Sequence, residues 1–375
     1  MTTSNPDVLI VGAGPTGLAA ALFLTQRHVP VRIIDTAAQA ATTSKALAVN
    51  SRTLEVLRST GVSDRIVAEG WAVRGGTLHE DGRDVLAFDL PPATDATQAM
   101  TVLPQAHTEA LLTKALAANG VTVDRGVSFQ ALSQDLAEVI ATLQHADGRS
   151  EQVTTRLVFG ADGAHSTVRH ALKLDFAGSS LPEPWLLWDV VMDTSLDAYR
   201  AHVLFERDGF IFVLRLGDNV WRVIGNTHDP LGTLRRYGSL GDISWESQFH
   251  IGHRVASQAG MGRVSLGGDA AHIHSPIGAR GMNLGIEDAY VYADCAADAL
   301  AGDMGRMNDY AELRHAVHKA VVRRIGAMTR LVHGRPSWLR WVRDEVVPVA
   351  GHLAFTRQLM MRTVGGLDHA LKTRP

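Results

Sequence analysis

The stretch GGDAAHIHSPIGARGMNLGIEDA, residues 267–289, could do chemistry because Asp269, His272 and His274 stand among five glycines ahead of a predicted helix. One interpretation is a metal site with these three side chains as ligands. The other is a glycine-rich loop that receives an anion at a helix N-terminus. Because three ligands would have to converge within a segment that also continues into a helix, we favour the loop and predict no metal. The histidines then pack or form hydrogen bonds within the loop.

A second glycine-rich segment, VLIVGAGPTG near the N-terminus, indicates which anion is bound. Residues 8–11 read as a buried strand, and Gly12, Gly14 and Gly17 precede an alanine- and leucine-rich helix. The first glycine permits a tight turn, the second lets the backbone approach a pyrophosphate, and the third allows close packing of the helix. Asp35 ends a second strand 18 residues after Gly17, where an acidic residue accepts hydrogen bonds from an adenosine ribose. The pattern predicts dinucleotide binding.

Two further strand ends are predicted to lie beside this turn. RLVFGADGAHSTVR, residues 156–169, contains a strand that ends at Asp162 and Gly163, and RVSLGGD contains one that ends at Asp269. In a doubly wound sheet, ligands bind outside the carboxyl ends of the strands. We therefore expect the three ends to converge on one cofactor.

Composition restricts the partners and the compartment. The 375 residues can form two cores, and a net charge of -3 with 20% charged residues creates no field that would attract nucleic acid or an anionic membrane. The expected partners are small molecules. No Lys or Arg precedes the apolar run from Val8, which makes a signal peptide or membrane span the weaker interpretation. With the single cysteine, Cys295, this predicts a cytoplasmic protein without stable membrane insertion.

The order of these segments resembles one family. GxGxxG, then a DG segment, then GDAAH with GxxGMNLGIEDA is similar to the single-component FAD-dependent aromatic hydroxylases of the para-hydroxybenzoate hydroxylase type, over nearly the whole chain. SRTLEVL at 51–57, Gln105 in LPQAHTEALL and the basic residue in TSKAL are further matches.

The resemblance implies an α/β fold: a Rossmann-like FAD-binding domain with an inserted, mainly antiparallel β-sheet substrate domain and a C-terminal helical segment. The expected boundaries are 1–70, 104–170 and 261–310 for the FAD-binding domain, 71–103 and 171–260 for the substrate domain, and 311–375 for the C-terminal helices.

The resemblance also implies cofactor contacts. Asp269 accepts a hydrogen bond from the ribityl chain, Pro276 flanks the flavin, and the backbone around residues 281–283 faces the pyrimidine end of the isoalloxazine. Lys45 stands where the family usually carries arginine, and it either meets a phosphate or is a solvated loop lysine. Arg52 either serves the flavin or caps the next helix. The full set of predicted cofactor-binding residues is Gly12, Gly14, Gly17, Asp35, Lys45, Arg52, Gln105, Asp162, Asp269, Pro276, Gly281, Met282 and Asn283.

The activity implied is a monooxygenase. NADH or NADPH reduces FAD, and O2 then forms a C4a-hydroperoxide that hydroxylates an aromatic, phenolic or polycyclic, small molecule. The alternatives left open are a flavin-dependent reductase or dehydrogenase and a flavin-binding sensor without turnover.

The catalytic base is unassigned. Four polar residues lie in candidate pocket strands, but none of them matches a family motif: His79, Tyr199, His202 and Arg215. Both a monomer and a homodimer are compatible with the sequence.

Two patterns outside the cofactor segments predict structure. HVLFE, FIFVLRL and VWRVIG, separated by RDG and GDN turns, form an antiparallel meander, and GGTLHEDGRDVLAF and the DGR turn at 147–149 form hairpins. Four tryptophans of this region belong either to an aromatic pocket or to the sheet core: Trp185, Trp188, Trp221 and Trp245.

The last 65 residues read as helices broken near Pro336. From Arg314 to Arg343 there are eight basic and no acidic residues, which we interpret as a solvated helix face, with a partner or anionic membrane surface as the alternative.

Overall fold

A computed structural model describes residues 5–42, 46–90, 100–207, 209–334, 336–351 and 353–375 of the chain. Its strands are β1 (Val8–Val11), β2 (Val31–Asp35), β3 (Ala48–Asn50), β4 (Trp71–Val73), β5 (Gly75–Glu80), β6 (Arg83–Asp89), β7 (Met100–Val102), β8 (Val123–Arg125), β9 (Val127–Gln134), β10 (Val139–His145), β11 (Ser150–Thr155), β12 (Leu157–Gly160), β13 (Phe176–Ser180), β14 (Trp185–Thr194), β15 (Arg200–Glu206), β16 (Gly209–Gly217), β17 (Val220–Gly225), β18 (Gly238–Phe249), β19 (Gly252–Ala256), β20 (Gly260–Met261), β21 (Val264–Leu266) and β22 (His272–Ile273).

The helices are α1 (Pro15–Gln26), α2 (Ser51–Leu57), α3 (Val62–Glu69), α4 (Gln105–Ala118), α5 (Thr167–Ala171), α6 (Pro230–Leu234), α7 (Gly281–Leu300), α8 (Gly305–His333), α9 (Ser337–Trp341), α10 (Val347–Gly351) and α11 (Ala354–Val364). None of the helices in this part of the chain combines the length and the hydropathy that crossing a bilayer requires.

The cofactor half of the molecule is built on a six-stranded sheet with the order β20-β21-β12-β1-β2-β8. Neighbouring strands from β21 to β8 run parallel. All four residues of β1 are buried, because Val8 and Ile10 pack against the helical side while Leu9 and Val11 pack against β9 and β10. The parallel register brings the ends of β1, β12 and β21 to the same edge, so the predicted convergence of three strand ends is confirmed.

The turn from β1 into α1 requires glycine at two of its three positions. Gly12 has φ +102°, and a Cβ there would lie 2.3 Å from the carbonyl oxygen of Ala161 at the end of β12. A Cβ at Gly17 would lie 1.9 Å from the carbonyl oxygen of Gly12. At Gly14 a Cβ would meet nothing within 4 Å, so this position faces open space.

The second half is a seven-stranded sheet with the order β18-β14-β17-β16-β15-β5-β6. The predicted meander is confirmed, since β15, β16 and β17 pair antiparallel in sequence order, and the hairpins β5–β6 and β10–β11 form as expected. Strand β5 joins the sheet by parallel pairing with β15, which connects two distant stretches of the chain. The predicted fold class is confirmed, whereas the domain boundaries within it stay a prediction.

Strand alternation divides the four tryptophans between the two faces of this sheet. Trp185 packs with Phe210 in one core cluster, and Trp188 and Trp221 pack in the cluster on the opposite face. Trp245 lies beside the cluster of Trp185. Trp188 and Trp221 therefore belong to the sheet core, and a role of Trp185 or Trp245 in an aromatic pocket stays a prediction.

The C-terminal helices correct the interpretation of the basic run. Arg314 on α8 and Arg343 have side chains only 1% and 2% exposed, so the run is not a uniformly solvated face. Arg343 donates to the carbonyl oxygens of Gly209 and Glu206, and thereby fastens the helices to the seven-stranded sheet. The helix α8 ends at His333 with Gly334 in a left-handed conformation, close to the break predicted near Pro336.

The glycine turn yields a prediction about stability without cofactor. Gly17→Ala forces the helix away from the Gly12 carbonyl and should lower the free energy of unfolding by about 1 to 3 kcal/mol, the usual cost of overpacking. Gly14→Ala is the matched control and should change it by less than about 0.5 kcal/mol. Urea denaturation of the cofactor-free variants measures both. Equal stabilities would contradict the close approach of α1 to the turn.

Candidate functional site

A cavity of about 1570 Å³ lies between the seven-stranded sheet, the loop before α7 and the C-terminal helices. Its sheet wall is apolar and aromatic, and includes Phe88, Trp185, Phe210, Phe212, Trp245 and Phe249. Five of the predicted cofactor residues line its opposite side, namely Gln105, Asp269, Pro276, Gly281 and Met282. The cavity therefore joins an aromatic chamber to the predicted flavin-binding loop.

Asp269 occupies the junction between these two parts. It follows β21 in a short 3-10 turn, Gly268–Ala270, and its side chain is enclosed by the protein yet accessible from the cavity. Burial raises the pKa of the Asp269 carboxyl, an effect that the nearby His272 partly opposes. A carboxylate in this position can accept hydrogen bonds from a polyol chain in the cavity.

The loop that carries Asp269 is held by Asp288 on α7. One oxygen of Asp288 accepts the backbone N–H of Gly268 at 2.9 Å and Nε2 of His272 at 2.8 Å. The other accepts Nε of Arg314 at 2.6 Å and Nε2 of His318 at 2.8 Å, both from α8. All four donors meet a carboxylate that is completely buried. We call this group, Gly268, His272, Asp288, Arg314 and His318, the Asp288 cluster.

Electrostatics keep the centre of the cluster ionised. Burial opposes ionisation of Asp288, but His318, Arg314 and His272 hold its pKa well below the ordinary value. Burial also lowers the pKa of His318 to about 3, so this ring acts at neutral pH as an uncharged hydrogen-bond donor. Arg314 supplies the compensating charge that a buried carboxylate requires.

The cluster also bears on the metal question raised by the sequence. The structure brings His272 together with Asp288 and His318, and not with Asp269 and His274 as the metal alternative required. The nitrogen–oxygen distances of 2.8 Å are those of hydrogen bonds, and Arg314 already contacts the same carboxylate. A buried guanidinium repels a cation, so we interpret the group as a hydrogen-bonded support of the loop.

The glycine turn lies next to this loop. A Cβ at Gly268 would lie 2.5 Å from Oγ1 of Thr16, in the first turn of α1. Among the described residues, no side chain caps that turn, and Gly14 in front of it faces open space. Uncapped N–H groups at a helix N-terminus, with room before them, fit a diphosphate.

Two predicted acidic residues have local partners. Asp35 accepts the N–H of Ala13 at 2.7 Å and that of Ala37 at 2.8 Å, so it lies directly against the glycine turn. Asp162 accepts the hydroxyl of Ser166 at 2.5 Å and the N–H of Val168 at 3.1 Å, which stabilises the start of α5. The contacts of both carboxylates with a cofactor stay predictions.

Other predicted residues support the site or lie away from the cavity. The Asn283 side chain donates to the carbonyl oxygens of Ala48 and Ala279, and accepts the N–H of Asn50, so it joins β3 to α7. Asn50 and not Arg52 caps α2, which makes the capping alternative for Arg52 wrong. Arg52 is directed toward the C-terminal segment, where Nη2 lies 3.4 Å from the carbonyl oxygen of His369. Lys45 lies outside the described residues.

The four polar residues considered as catalytic base do not line the cavity. His79 and His202 face each other at 2.9 Å within the sheet. Burial lowers the pKa of both, to about 4 for His202. Tyr199 stacks on Trp71, and the guanidinium of Arg215 lies 4.3 Å from the centre of the same ring.

Sequence reasoning missed the residues that hold the site together. Asp288 lies within the GIEDA motif, so a local signal was present, but its partners Arg314 and His318 are 26 and 30 residues further on. Arg169, which donates to the carbonyl oxygens of Ala270 and Ala164, joins the DG segment to the Asp269 loop. The residues present fit FAD. The uncapped start of α1 lies next to the loop that carries the accessible Asp269, and this loop lines the large cavity.

The Asp288 cluster yields a prediction. Asp288→Asn leaves Arg314 buried without its closest carboxylate, and should lower the free energy of unfolding by about 3 to 5 kcal/mol. Asp298→Asn is a control at the other end of α7, where Arg306 keeps contacts with Asp294 and Asp309 and the expected loss is below about 1 kcal/mol. Chemical denaturation compares the two. A small loss in Asp288→Asn would contradict the assignment of the cluster as the support of the loop.

Comparison with known proteins places the chain among flavoproteins. The family described as FAD binding domain matches residues 5–214 and 233–325. A 6-methylpretetramide 4-monooxygenase from Streptomyces rimosus is 37% identical over 370 residues, covering 92% of this chain and 64% of the relative. A pentachlorophenol 4-monooxygenase from Sphingobium chlorophenolicum is 32% identical and covers 77% of this chain and 57% of the relative. The chain thus spans about three fifths of the length of these two proteins.

A solved structure agrees with these relatives. The anhydrotetracycline hydroxylase from Streptomyces rimosus superimposes with a TM-score of 0.81 at 28% identity, covering 98% of this chain and 77% of the other. The match extends over both sheets and the C-terminal helices, since nearly the whole chain is included. The chain belongs to the FAD-binding domain family of flavoproteins, with FAD as its cofactor.

Proposed function

We propose that the protein is an FAD-dependent monooxygenase that uses NADH or NADPH and O2 to hydroxylate an aromatic small molecule. The observation that carries this proposal is the continuity of the cavity. The same space of about 1570 Å³ is lined by Asp269 and Gly281 on one side and by Trp185, Phe212 and Trp245 on the other. A flavin at the first side would face an aromatic ring held at the second.

Four parts of FAD have a matching group in this arrangement. The uncapped start of α1 behind Gly14 would hold the diphosphate, and Asp35 would accept hydrogen bonds from the adenosine ribose. Asp269 accepts hydroxyl groups of the ribityl chain. The start of α7, where Gly281 and Met282 line the cavity and the helix terminus favours negative charge, would receive the pyrimidine end of the flavin.

FAD, when bound, accepts a hydride from the nicotinamide and activates O2, and the chain supplies orientation and exclusion of water. The aromatic wall removes a substrate ring from water and presents one face of it toward the flavin. Aromatic side chains on several neighbouring strands, such as Phe88, Phe210 and Phe249, make a wide surface. We infer that this surface suits a phenolic or polycyclic ring system.

The remaining expectations follow from the same proposal. The seven-stranded sheet is the substrate domain, composed of 71–103 and 171–260, and the helices of 311–375 close the cavity. Burial raises the pKa of the Cys295 thiol to about 12, so this thiol is unreactive. A single cysteine, which cannot form an internal disulfide, supports a cytoplasmic location. We infer this location and a monomer or homodimer as the working state.

The cofactor assignment predicts the effect of one substitution. Asp269→Ala should give a folded protein that loses most of its FAD during purification, because the ribityl hydroxyls lose their acceptor. Asp218→Ala, in the exposed turn between β16 and β17, is the matched control and should retain FAD. The ratio of flavin to protein absorbance measures the content. Equal flavin content in the two variants would refute the assignment.

The activity itself is tested in two stages. Under anaerobic conditions, NADH or NADPH should reduce the bound flavin faster when a fitting phenol or polycyclic aromatic is present. Admission of O2 should then give a hydroxylated product, identified by mass spectrometry as a gain of one oxygen atom. If NADH or NADPH reduces the flavin but no ligand gains an oxygen atom, a flavin reductase is favoured. If neither nicotinamide nor ligand changes the flavin, a flavin-binding sensor is favoured.

A further inference from the structure

We propose that the segment Gly365–His369, called here the C-terminal clamp, positions the first turn of α7 against the flavin and that Asp368 is its central positioning residue. This inference rests on the proposed placement of FAD, because it concerns the helix terminus that would face the pyrimidine end. No residue of the clamp lines the cavity, whereas Arg280 and Arg324, which Asp368 contacts, both do. The clamp would act through Arg280, the residue that precedes α7.

Arg280 is a completely buried cation. Its Nη2 lies 3.3 Å from Asp368 and 3.7 Å from Glu287, while Nε and Nη1 have no hydrogen-bond partner among the described residues. Arg280 is the N-cap residue of α7, and its carbonyl oxygen accepts the N–H of Leu284. A buried guanidinium with so few donors satisfied depends on its carboxylates to stay in place. The position of Arg280 therefore fixes where α7 begins.

Asp368 brings three positively charged or proton-donating groups to one point. It accepts from Arg280, from Nη1 of Arg324 on α8, and from Nδ1 of His369 at 3.0 Å. Burial opposes its ionisation, but His369, Arg280 and Arg324 hold the pKa of Asp368 below the ordinary value. Its carboxylate therefore links the C-terminal segment to both α7 and α8.

The clamp has further contacts on either side of Asp368. Nε2 of His369 lies 2.6 Å from Glu287, two turns into α7. The carbonyl oxygen of Gly365 accepts the hydroxyl of Ser51 at 3.0 Å and the N–H of Arg52 at 3.2 Å, at the start of α2. The segment thus joins the start of α2 to the start of α7.

The start of α7 and the strand β3, which leads into α2, belong to the walls of the proposed flavin site. Ala48, just before α2, lines the cavity together with Gly281 and Met282 at the start of α7. In addition, α11 runs directly into the clamp, and its residues Leu359 and Thr363 line the aromatic chamber. A displacement of α11 would be transmitted to the flavin end of α7 through five residues of chain.

The physical consequence concerns the charge of the reduced flavin. N–H groups at a helix start stabilise the negative charge that develops at the pyrimidine end on reduction. If the first turn of α7 is displaced, these donors no longer point at that end. FAD is then bound less tightly, and its reduced form loses more stabilisation than its oxidised form.

The test compares Asp368→Asn with the unchanged protein by two measurements that need no substrate. FAD affinity is measured by titration of the cofactor-free protein with FAD, and the midpoint potential of the bound flavin by equilibration with a reference dye. We expect an affinity about tenfold weaker, within the usual range of coupling between sites, and a more negative potential. A purely structural role would lower the melting temperature without moving the potential.

Asp298→Asn is the matched control. It also removes a carboxylate from an arginine that contacts the C-terminal segment, because Arg306 donates both to Asp298 and to the carbonyl oxygen of Thr373. It should change neither the affinity nor the potential. Arg324→Gln, whose side chain is 35% exposed, removes one contact of the clamp more mildly and should shift both quantities in the same direction. It decides the question if Asp368→Asn does not fold.

The outcomes separate this inference from the proposed function. Loss of FAD in Asp269→Ala, with affinity and potential unchanged in Asp368→Asn and Arg324→Gln, overturns the clamp alone. If Asp269→Ala retains FAD, the placement of the flavin fails and the clamp fails with it. A shift of both quantities in the two clamp variants supports the inference even where no aromatic product is found.

Discussion

The site depends above all on one buried carboxylate, that of Asp288. It accepts four hydrogen bonds from two separate pieces of chain, the Asp269 loop and α8, and thereby joins both of them to its own helix, α7. A buried charge is tolerated only when its partners surround it, so the geometry of these pieces is strictly coupled. The accessible Asp269 therefore presents its own carboxylate to the cavity from a loop that Asp288 holds at Gly268 and His272.

The two sheets contribute different features to the site. The parallel sheet provides strand ends and uncapped helix termini, which are suited to a dinucleotide. The seven-stranded sheet provides a wall of alternating side chains, of which one face forms a core with Trp188 and Trp221 and the other lines the cavity with Trp185. In the proposed function, anion recognition and exclusion of water therefore belong to different layers, which meet at Asp269 and the start of α7.

The C-terminal helices complete this arrangement by charge as well as by packing. Arg343 fastens them to the sheet through backbone carbonyls, while Asp368 and His369 join them to Arg280 and Glu287. Several basic residues that look like a solvated face in the sequence are in fact internal counter-charges. The same helices line the aromatic chamber, so in the proposed function the wall of the substrate space and the support of the start of α7 belong to one part of the chain.

The sequence by itself determined the local units: the β1 turn and α1, the DG segment, the GGDA loop, the hairpins and the family to which they belong. Such units are encoded by residues that are neighbours in the chain, where glycine, turn residues and strand alternation act directly. The tertiary structure decided which tryptophans face the cavity, that Arg52 turns toward the C-terminal segment, and that Asp288 is paired with Arg314 and Arg280 with Asp368. These pairings join residues 26 and 88 positions apart, and burial makes them favourable only once the helices have packed.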